Sequence, residues 1–260
     1  MSDTFDVWHN SNMIEIIPAI LPESVADIRN QVAAVLGKTR LVQIDMVDGI
    51  FAPRATWPYN GEDIGFVEAL EAEKEGMPYW EEMNFELDLM VKNAHDHLDY
   101  FYKFAPSRIV LHAEAEGDEE EFANFIEAID PYIRDNVEIG VAFNVDSDID
   151  AYRHILKEVD FVQCMGISEI GQQGQEFDER AYNQIKKVAD AFPGLPIAVD
   201  GGVTLENAEN LIAVGATRLV VGSALWKSLS PLDTLRKFKE IAHFAENKNG
   251  EADENADSDE

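Results

Sequence analysis

The sequence has a single cysteine, Cys164. One thiol excludes an internal disulfide framework and fits a reducing compartment. Basic residues are scarce: 20 Lys and Arg stand against 51 Asp and Glu, a net charge of −31. Such a chain lacks the basic face that nucleic-acid phosphates require, and anionic membrane surfaces repel it. No apolar run reaches the roughly 18 residues that a membrane span needs. The opening segment MSDTFDVWHNSNM lacks the basic region followed by an apolar stretch that marks a secretory signal. These absences predict a cytoplasmic protein with neither a nucleic-acid nor a membrane partner.

What is present is a chain of 260 residues, 46% of them hydrophobic. That suffices for one large core, and residues 1–246 read as a single domain. The remainder, NKNGEADENADSDE at 247–260, is acidic, has no apolar period, and is expected to be a disordered tail.

Short β-branched runs alternate with amphipathic stretches from end to end. The strand candidates are residues 13–20, 40–46, 84–90, 107–113, 137–143, 160–165, 196–200 and 218–222. Between them lie stretches that read as helices. One, at 24–36, opens on Ser24; another, at 204–214, opens on a Thr204/Asn207 pair and closes before Gly215. Eight strands, each followed by a helix, predict a closed parallel (β/α)8 TIM barrel. The first strand runs into AILPES without the glycine fingerprint of a dinucleotide-binding sheet. One connection, 50–83, is longer than a plain βα unit needs and reads as a lid or an interface element, so a homo-oligomer stays open.

In such a barrel, polar residues at the C-terminal ends of strands face the active-site mouth. Strand two ends in Gln43-Ile44-Asp45-Met46-Val47-Asp48-Gly49, and alternation places Gln43 and Asp45 on one side, Ile44 and Met46 on the other. Strand three ends around Asp88, strand four at His112, strand six at Met165, strand seven at Asp200-Gly201-Gly202. Asp45, Asp88 and Asp200 thus converge. Close carboxylates persist together only with a cation or a shared proton, and a divalent cation with oxygen ligands is the natural occupant. Some of these aspartates would instead serve as caps of the following helices. Glycines after strands seven and eight, with Ser223, suit a phosphate group, since the backbone can approach a ligand there; ordinary turn glycines are the plainer reading.

On these residues a family resemblance emerges. IIPAILPES, VQIDMVDGIFAP, FELDLMV, VLHAEAEG, IAVDGGVTLENAENLIAVGA and LVVGSALW resemble, in order, the strand-and-loop motifs of ribulose-phosphate 3-epimerases, over about residues 14–240. The DxxDGxFxP pattern from Asp45 to Pro53 and the DGGV from Asp200 to Val203 are the most specific parts. The resemblance implies two aspartates, here Asp45 and Asp200, acting as acid and base at C3 of a ketopentose phosphate. It implies a metal held at positions matched by Asp45, Asp88, Asp200 and Gln43. It implies a phosphate grip at Gly201, Gly202, Gly222 and Ser223, with Gly174 and Gln175 matching the loop after strand six, and methionines Met46, Met90 and Met165 along the pocket. For the methionines, simple core packing is the plainer reading.

The chain departs from that pattern. The family's first-strand serine is Ala19 here, and its two ligand histidines are Gln43 and Asp88. Losing imidazoles and keeping oxygen donors favours magnesium, manganese or iron over zinc. The family's proline-glycine-phenylalanine-glycine turn after strand six is GISEIGQQGQEF. Two other readings follow. A sugar-phosphate-binding barrel without epimerase activity fits the lost ligands. A decarboxylase or aldolase would need a strand-end lysine, and Lys92 and Lys227 both lie past their strands.

Overall fold

The computed structural model describes the backbone of residues 13–257 and the side chains of residues 13–248. Eight parallel strands close into a barrel in sequence order: β1 Glu15–Ile20, β2 Leu41–Val47, β3 Asn84–Met90, β4 Arg108–His112, β5 Glu138–Phe143, β6 Phe161–Met165, β7 Ile197–Asp200 and β8 Arg218–Val221. β8 pairs back onto β1, so no barrel strand is left as an edge among the described residues. Each strand falls within a residue of its sequence-predicted bounds at nearly every end. Strands buried on both faces need continuous apolar runs, and such runs are hard to miss.

The helices are α1 Val25–Val35, α2 Ile64–Glu71, α3 Leu98–Tyr102, α4 Glu119–Ala128, α5 Pro131–Arg134, α6 Arg180–Ala191, α7 Ala208–Ala213, α8 Ser223–Trp226 and α9 Pro231–Asp257. Ser24 caps α1, its side chain accepting from the Asp27 N–H. Thr204 and Asn207 exchange side-chain-to-backbone bonds ahead of α7, and Gly215 closes it with φ +117°. The expected helix after β5 is absent: residues 144–160 carry only a 3-10 turn, Ile155–Lys157. Its sequence, NVDSDIDAYRHILKEVD, is rich in Asp and Ser, which compete for backbone groups and favour turns. The backbone of the acidic C-terminal segment continues α9 to Asp257. Packed turns upstream, with Phe238 and Ala242 buried, nucleate a helix that its Ala, Glu and Lys residues propagate.

Two cores result from strand alternation. Ile44, Met46, Leu87, Leu89, Ile109 and Leu111 face outward and pack against Ile28, Val32, Phe122, Ile185, Leu211 and Phe238 of the helices. The inward residues fill the barrel. At the end away from the mouth, β1, β3, β4, β5 and β8 contribute Glu15, Glu86, Arg108, Glu138 and Arg218 to an ionic layer. Arg108 Nη1 lies 2.7 Å from Glu15 and Arg218 Nη2 2.8 Å from Glu138. The Arg218 guanidinium also stacks 4.6 Å over the Phe161 ring. Phe161 leaves room for no side chain at Gly140, where a Cβ would sit 2.3 Å from the ring. The inner core therefore plugs the bottom and leaves only the strand C-termini accessible. Among the described residues, no helix is long and apolar enough to cross a membrane.

The long 50–83 connection is anchored at the mouth. Thr56 is buried and bonds both the Val47 N–H at 2.9 Å and the Asp45 carbonyl at 3.0 Å. Trp57 next to it is fully buried, 5.7 Å from the Phe104 ring. The second aspartate of the DxxDG pattern, Asp48, shapes this loop. It accepts from the N–H groups of Ile50, Phe51 and Lys92.

Candidate active site

Register brings the acidic residues together. Asp45 of β2 pairs in register with Asp88 of β3, and Asp200 is the last residue of β7 across the barrel. One carboxylate oxygen from each lies within 4.8 Å of the other two. Asp88 is fully buried and Asp45 nearly so. All three aspartates point inward, as strand alternation requires.

Amides hold the cluster. Gln43 Nε2 donates to Asp45 Oδ1 at 2.8 Å and to Asp200 Oδ2 at 2.7 Å, and lies 3.4 Å from Asp88 Oδ2. Asp88 also accepts from Gln163 Nε2 at 3.2 Å and stands 2.7 Å from His112 Nε2. Gln173, from the loop after β6, sends Nε2 to 3.5 Å from Asp45 Oδ2 and 3.4 Å from the Ala19 carbonyl.

The electrostatics follow from crowding and burial. Burial raises the Asp45 carboxyl well above its ordinary value, the Asp200 and Asp88 charges push it further, and the Gln43 and Gln173 bonds only partly offset them. Asp200 is pushed up to about 7 by burial and by Asp88, against the opposing Gln43 bond and His112. Burial pulls the His112 imidazole down, but the adjoining Asp88 outweighs it and the pKa is raised. Deeper in the barrel, burial lifts Glu86 to about 7 although Arg108 and Arg218 pull the other way. The cluster thus holds protons near neutrality unless a cation displaces them.

The donor set fits such a cation. Three carboxylate oxygens converge, and Gln43 Oε1, buried beside them, has no hydrogen-bond partner. Turning that amide about its terminal bond would present a fourth oxygen. All four are hard donors of the kind that magnesium and manganese take.

Above the cluster, a pocket is lined by Asp45, Met90, Met165, Asp200, Gly201, Gly202, Gly222 and Ser223, with Gly174 and Gln175 on its β6-loop wall. Gly201 and Gly202 have φ of +96° and +66°, where only glycine is comfortable. The β6 loop packs closely here: Gly166 N–H donates to the Asp200 carbonyl at 2.6 Å. Gln175 lines the wall but spends its amide on the Glu169 and Gln172 carbonyls.

Met46 is the exception among the expected pocket residues. It is fully buried in the outer core, against the helices. Val47, one position on, joins Met90, Met165, Ile167 and Ile170 in the cluster at the mouth. The same alternation that put Asp45 inward puts Met46 outward, so period two already favoured Val47. Gln163 was legible by the same count, two residues before Met165. Gln173 was not, because a loop residue has no period to read.

The ribulose-phosphate 3 epimerase family model matches residues 15–226. The chain belongs to that family. Ribulose-phosphate 3-epimerase of Bacillus subtilis (strain 168) is 29% identical over 222 residues, covering 82% of this chain and 93% of its own. The chloroplastic ribulose-5-phosphate-3-epimerase of Arabidopsis thaliana is 27% identical over 248 residues, covering 92% of this chain and 80% of its own. Among solved structures, 3-hexulose-6-phosphate synthase from Salmonella typhimurium superposes with a TM-score of 0.64 at 14% identity, over 89% of this chain and 100% of its own. That likeness concerns the barrel alone.

Proposed function

We propose that this family member is an epimerase of a ketopentose phosphate similar to ribulose 5-phosphate, with Asp45 and Asp200 as the acid–base pair at C3. The observation that carries the reading is the convergence of these two carboxylates, from β2 and β7, at the floor of one glycine-walled pocket. Inverting a carbon next to a carbonyl requires a base to take the proton and an acid to return one to the other side of the same carbon. Both groups have raised pKa values, and Asp200, pushed up to about 7, exchanges a proton at little cost near neutral pH.

Asp45, Asp88, Asp200 and the Gln43 amide oxygen would hold a divalent cation, magnesium, manganese or iron rather than zinc. Such an ion, when bound, supplies positive charge against the oxyanion that develops as the C–H bond breaks. The protein's own part is positional. Gln163 and His112 fix Asp88 from below. Met90, Met165 and Val47 form an apolar wall that excludes water from the reacting carbon. Gly201, Gly202, Gly222 and Ser223, with Gly174 across from them, receive the phosphate.

Solvent-deuterium incorporation at C3 of ribulose 5-phosphate by the purified protein tests this. Incorporation in the wild type, lost in Asp45→Asn and in Asp200→Asn, supports the two-carboxylate mechanism. A protein that binds the sugar phosphate but incorporates no deuterium is instead a binding barrel, the reading that the loss of both histidines favours.

A further inference from the structure

The phosphate-facing half of the pocket is walled by glycines and a serine, and neither a lysine nor an arginine is among the described residues that line it. Its floor carries three carboxylates. A dianionic ligand therefore approaches a negative floor in a chain of net charge −31. Water screens that repulsion only in part inside a cleft. Backbone N–H groups alone offer partial charges. A full positive charge close to the grip would change the balance.

Lys227 supplies one. It follows α8, just past the β8 loop that carries Gly222 and Ser223. A Cβ built on Gly174 would stand 2.6 Å from Lys227 Nζ and 3.9 Å from Ser223 Cβ. The ammonium is thus placed against the α-carbon of Gly174, on the side that faces Ser223, at the rim where the β6 and β8 loops meet. Gly174 has φ +90°, and any side chain there would strain the backbone and displace the ammonium.

Nothing else among the described residues engages that charge. Lys103 pairs with Glu73, Lys186 with Asp190, Lys187 with Asp150 and Lys248 with Glu209. The Lys227 ammonium, among the described residues, has neither an ion pair nor a hydrogen bond, its backbone N–H alone donating, to the Ser223 carbonyl. An unpaired ammonium beside a glycine cradle suits an anion that arrives from solution.

We infer that Lys227 is the cationic member of the phosphate subsite, selecting phosphorylated over unphosphorylated sugars. The inference rests on the reading of this pocket as a sugar-phosphate site and adds a specificity-determining residue to it. A lysine serves as a mobile point charge there, so it attracts the phosphate and adapts to it without a fixed bidentate geometry.

The test measures binding of inorganic phosphate to the full chain by calorimetry at low and moderate salt. It compares the wild type with Lys227→Ala, Lys227→Arg and, as a remote control, Lys103→Ala. Lys227 is exposed, so its variants keep the fold. Loss of one charge-assisted contact is expected to weaken phosphate binding roughly tenfold in Lys227→Ala. Lys227→Arg restores most of the affinity, Lys103→Ala leaves it unchanged, and the salt dependence is shallower in Lys227→Ala than in the wild type. With ribulose 5-phosphate as substrate, the loss falls on KM far more than on kcat. Equal phosphate affinity in Lys227→Ala and wild type overturns the inference, as does an equal loss in Lys103→Ala, which would mark a diffuse field. A wild type that binds phosphate but exchanges no C3 hydrogen overturns the epimerase reading alone, and the Lys227→Ala comparison still decides the lysine. A wild type that binds no phosphate overturns both.

Discussion

Gln43 Nε2 lies 2.7 Å from Asp200 Oδ2, a bond that crosses the barrel from β2 to β7. The same amide nitrogen binds Asp45, so one neutral side chain holds the two proposed catalytic carboxylates in register. An imidazole at position 43 would offer a single nitrogen to a metal; a glutamine offers an N–H₂ to the carboxylates or, turned over, an oxygen to a cation.

Metal preference follows from that choice. Gln43→His should raise zinc affinity by an order of magnitude or more relative to magnesium, because imidazole is a good zinc ligand and an amide oxygen is a poor one. Competition titration of the wild type and Gln43→His with zinc and manganese reads this directly. Equal zinc affinity in the two proteins would show that position 43 takes no part in the metal site.

Removing the proposed catalytic carboxylates should abolish turnover while sparing the fold. Asp45→Asn and Asp200→Asn each keep the side-chain shape but lose the proton-transfer function, a loss of about 10³-fold or more in deuterium exchange. Both relieve buried charge repulsion, so thermal stability without metal should rise or stay level. A residual rate near that of wild type in either variant would remove that residue from the mechanism.

Stability of the metal-free protein should fall as the pH rises. Asp200 has a folded-state pKa of about 7 against an ordinary 3.8, so the folded state holds its proton more tightly than the unfolded chain. The resulting stabilisation is present below pH 3.8 and is lost as the pH climbs through about 7. In EDTA, Tm should drop by about 3 °C or more between pH 5.5 and pH 8 from this cluster. A divalent cation should restore the lost stability at the upper end. The same slope in Asp200→Asn would assign it to other groups.

The methionines of the outer core and of the pocket wall should behave differently. Met46→Ala removes a fully buried side chain from the outer core, at a cost of about 2–5 kcal/mol in stability with KM unchanged. Met165→Ala opens the pocket wall and should raise KM for the sugar phosphate several-fold. Chemical denaturation alongside kinetics separates the two effects.

Cys164 should be inert in the folded protein. It is fully buried, and burial alone pushes its thiol up to about 12. Iodoacetamide labelling should be undetectable in buffer and complete in denaturant, with mass spectrometry as the readout.

The barrel and the carboxylate cluster are legible in the sequence because both depend on short-range regularities. Apolar runs bounded by turns mark strands, and period-two alternation assigns Asp45, Asp88 and Val47 to one face. Met46, which the family resemblance groups with the pocket methionines, follows the alternation instead and faces the outer core. The ionic layer of Glu15, Glu86, Arg108, Glu138 and Arg218 is another matter. Its members lie on five strands: pairing of β3, β4 and β5 sets Glu86, Arg108 and Glu138 side by side, and closure of β8 onto β1 brings Glu15 and Arg218 to them. Gln173 and Lys227 belong to the same class. Each sits on an irregular segment, where no periodicity predicts direction, and each acquires its place from the meeting of the β6 and β8 loops. Local pattern thus dictates which face a strand residue takes. Which loop side chains reach a common ligand is decided by long-range packing, because it depends on contacts between segments that sequence proximity does not link.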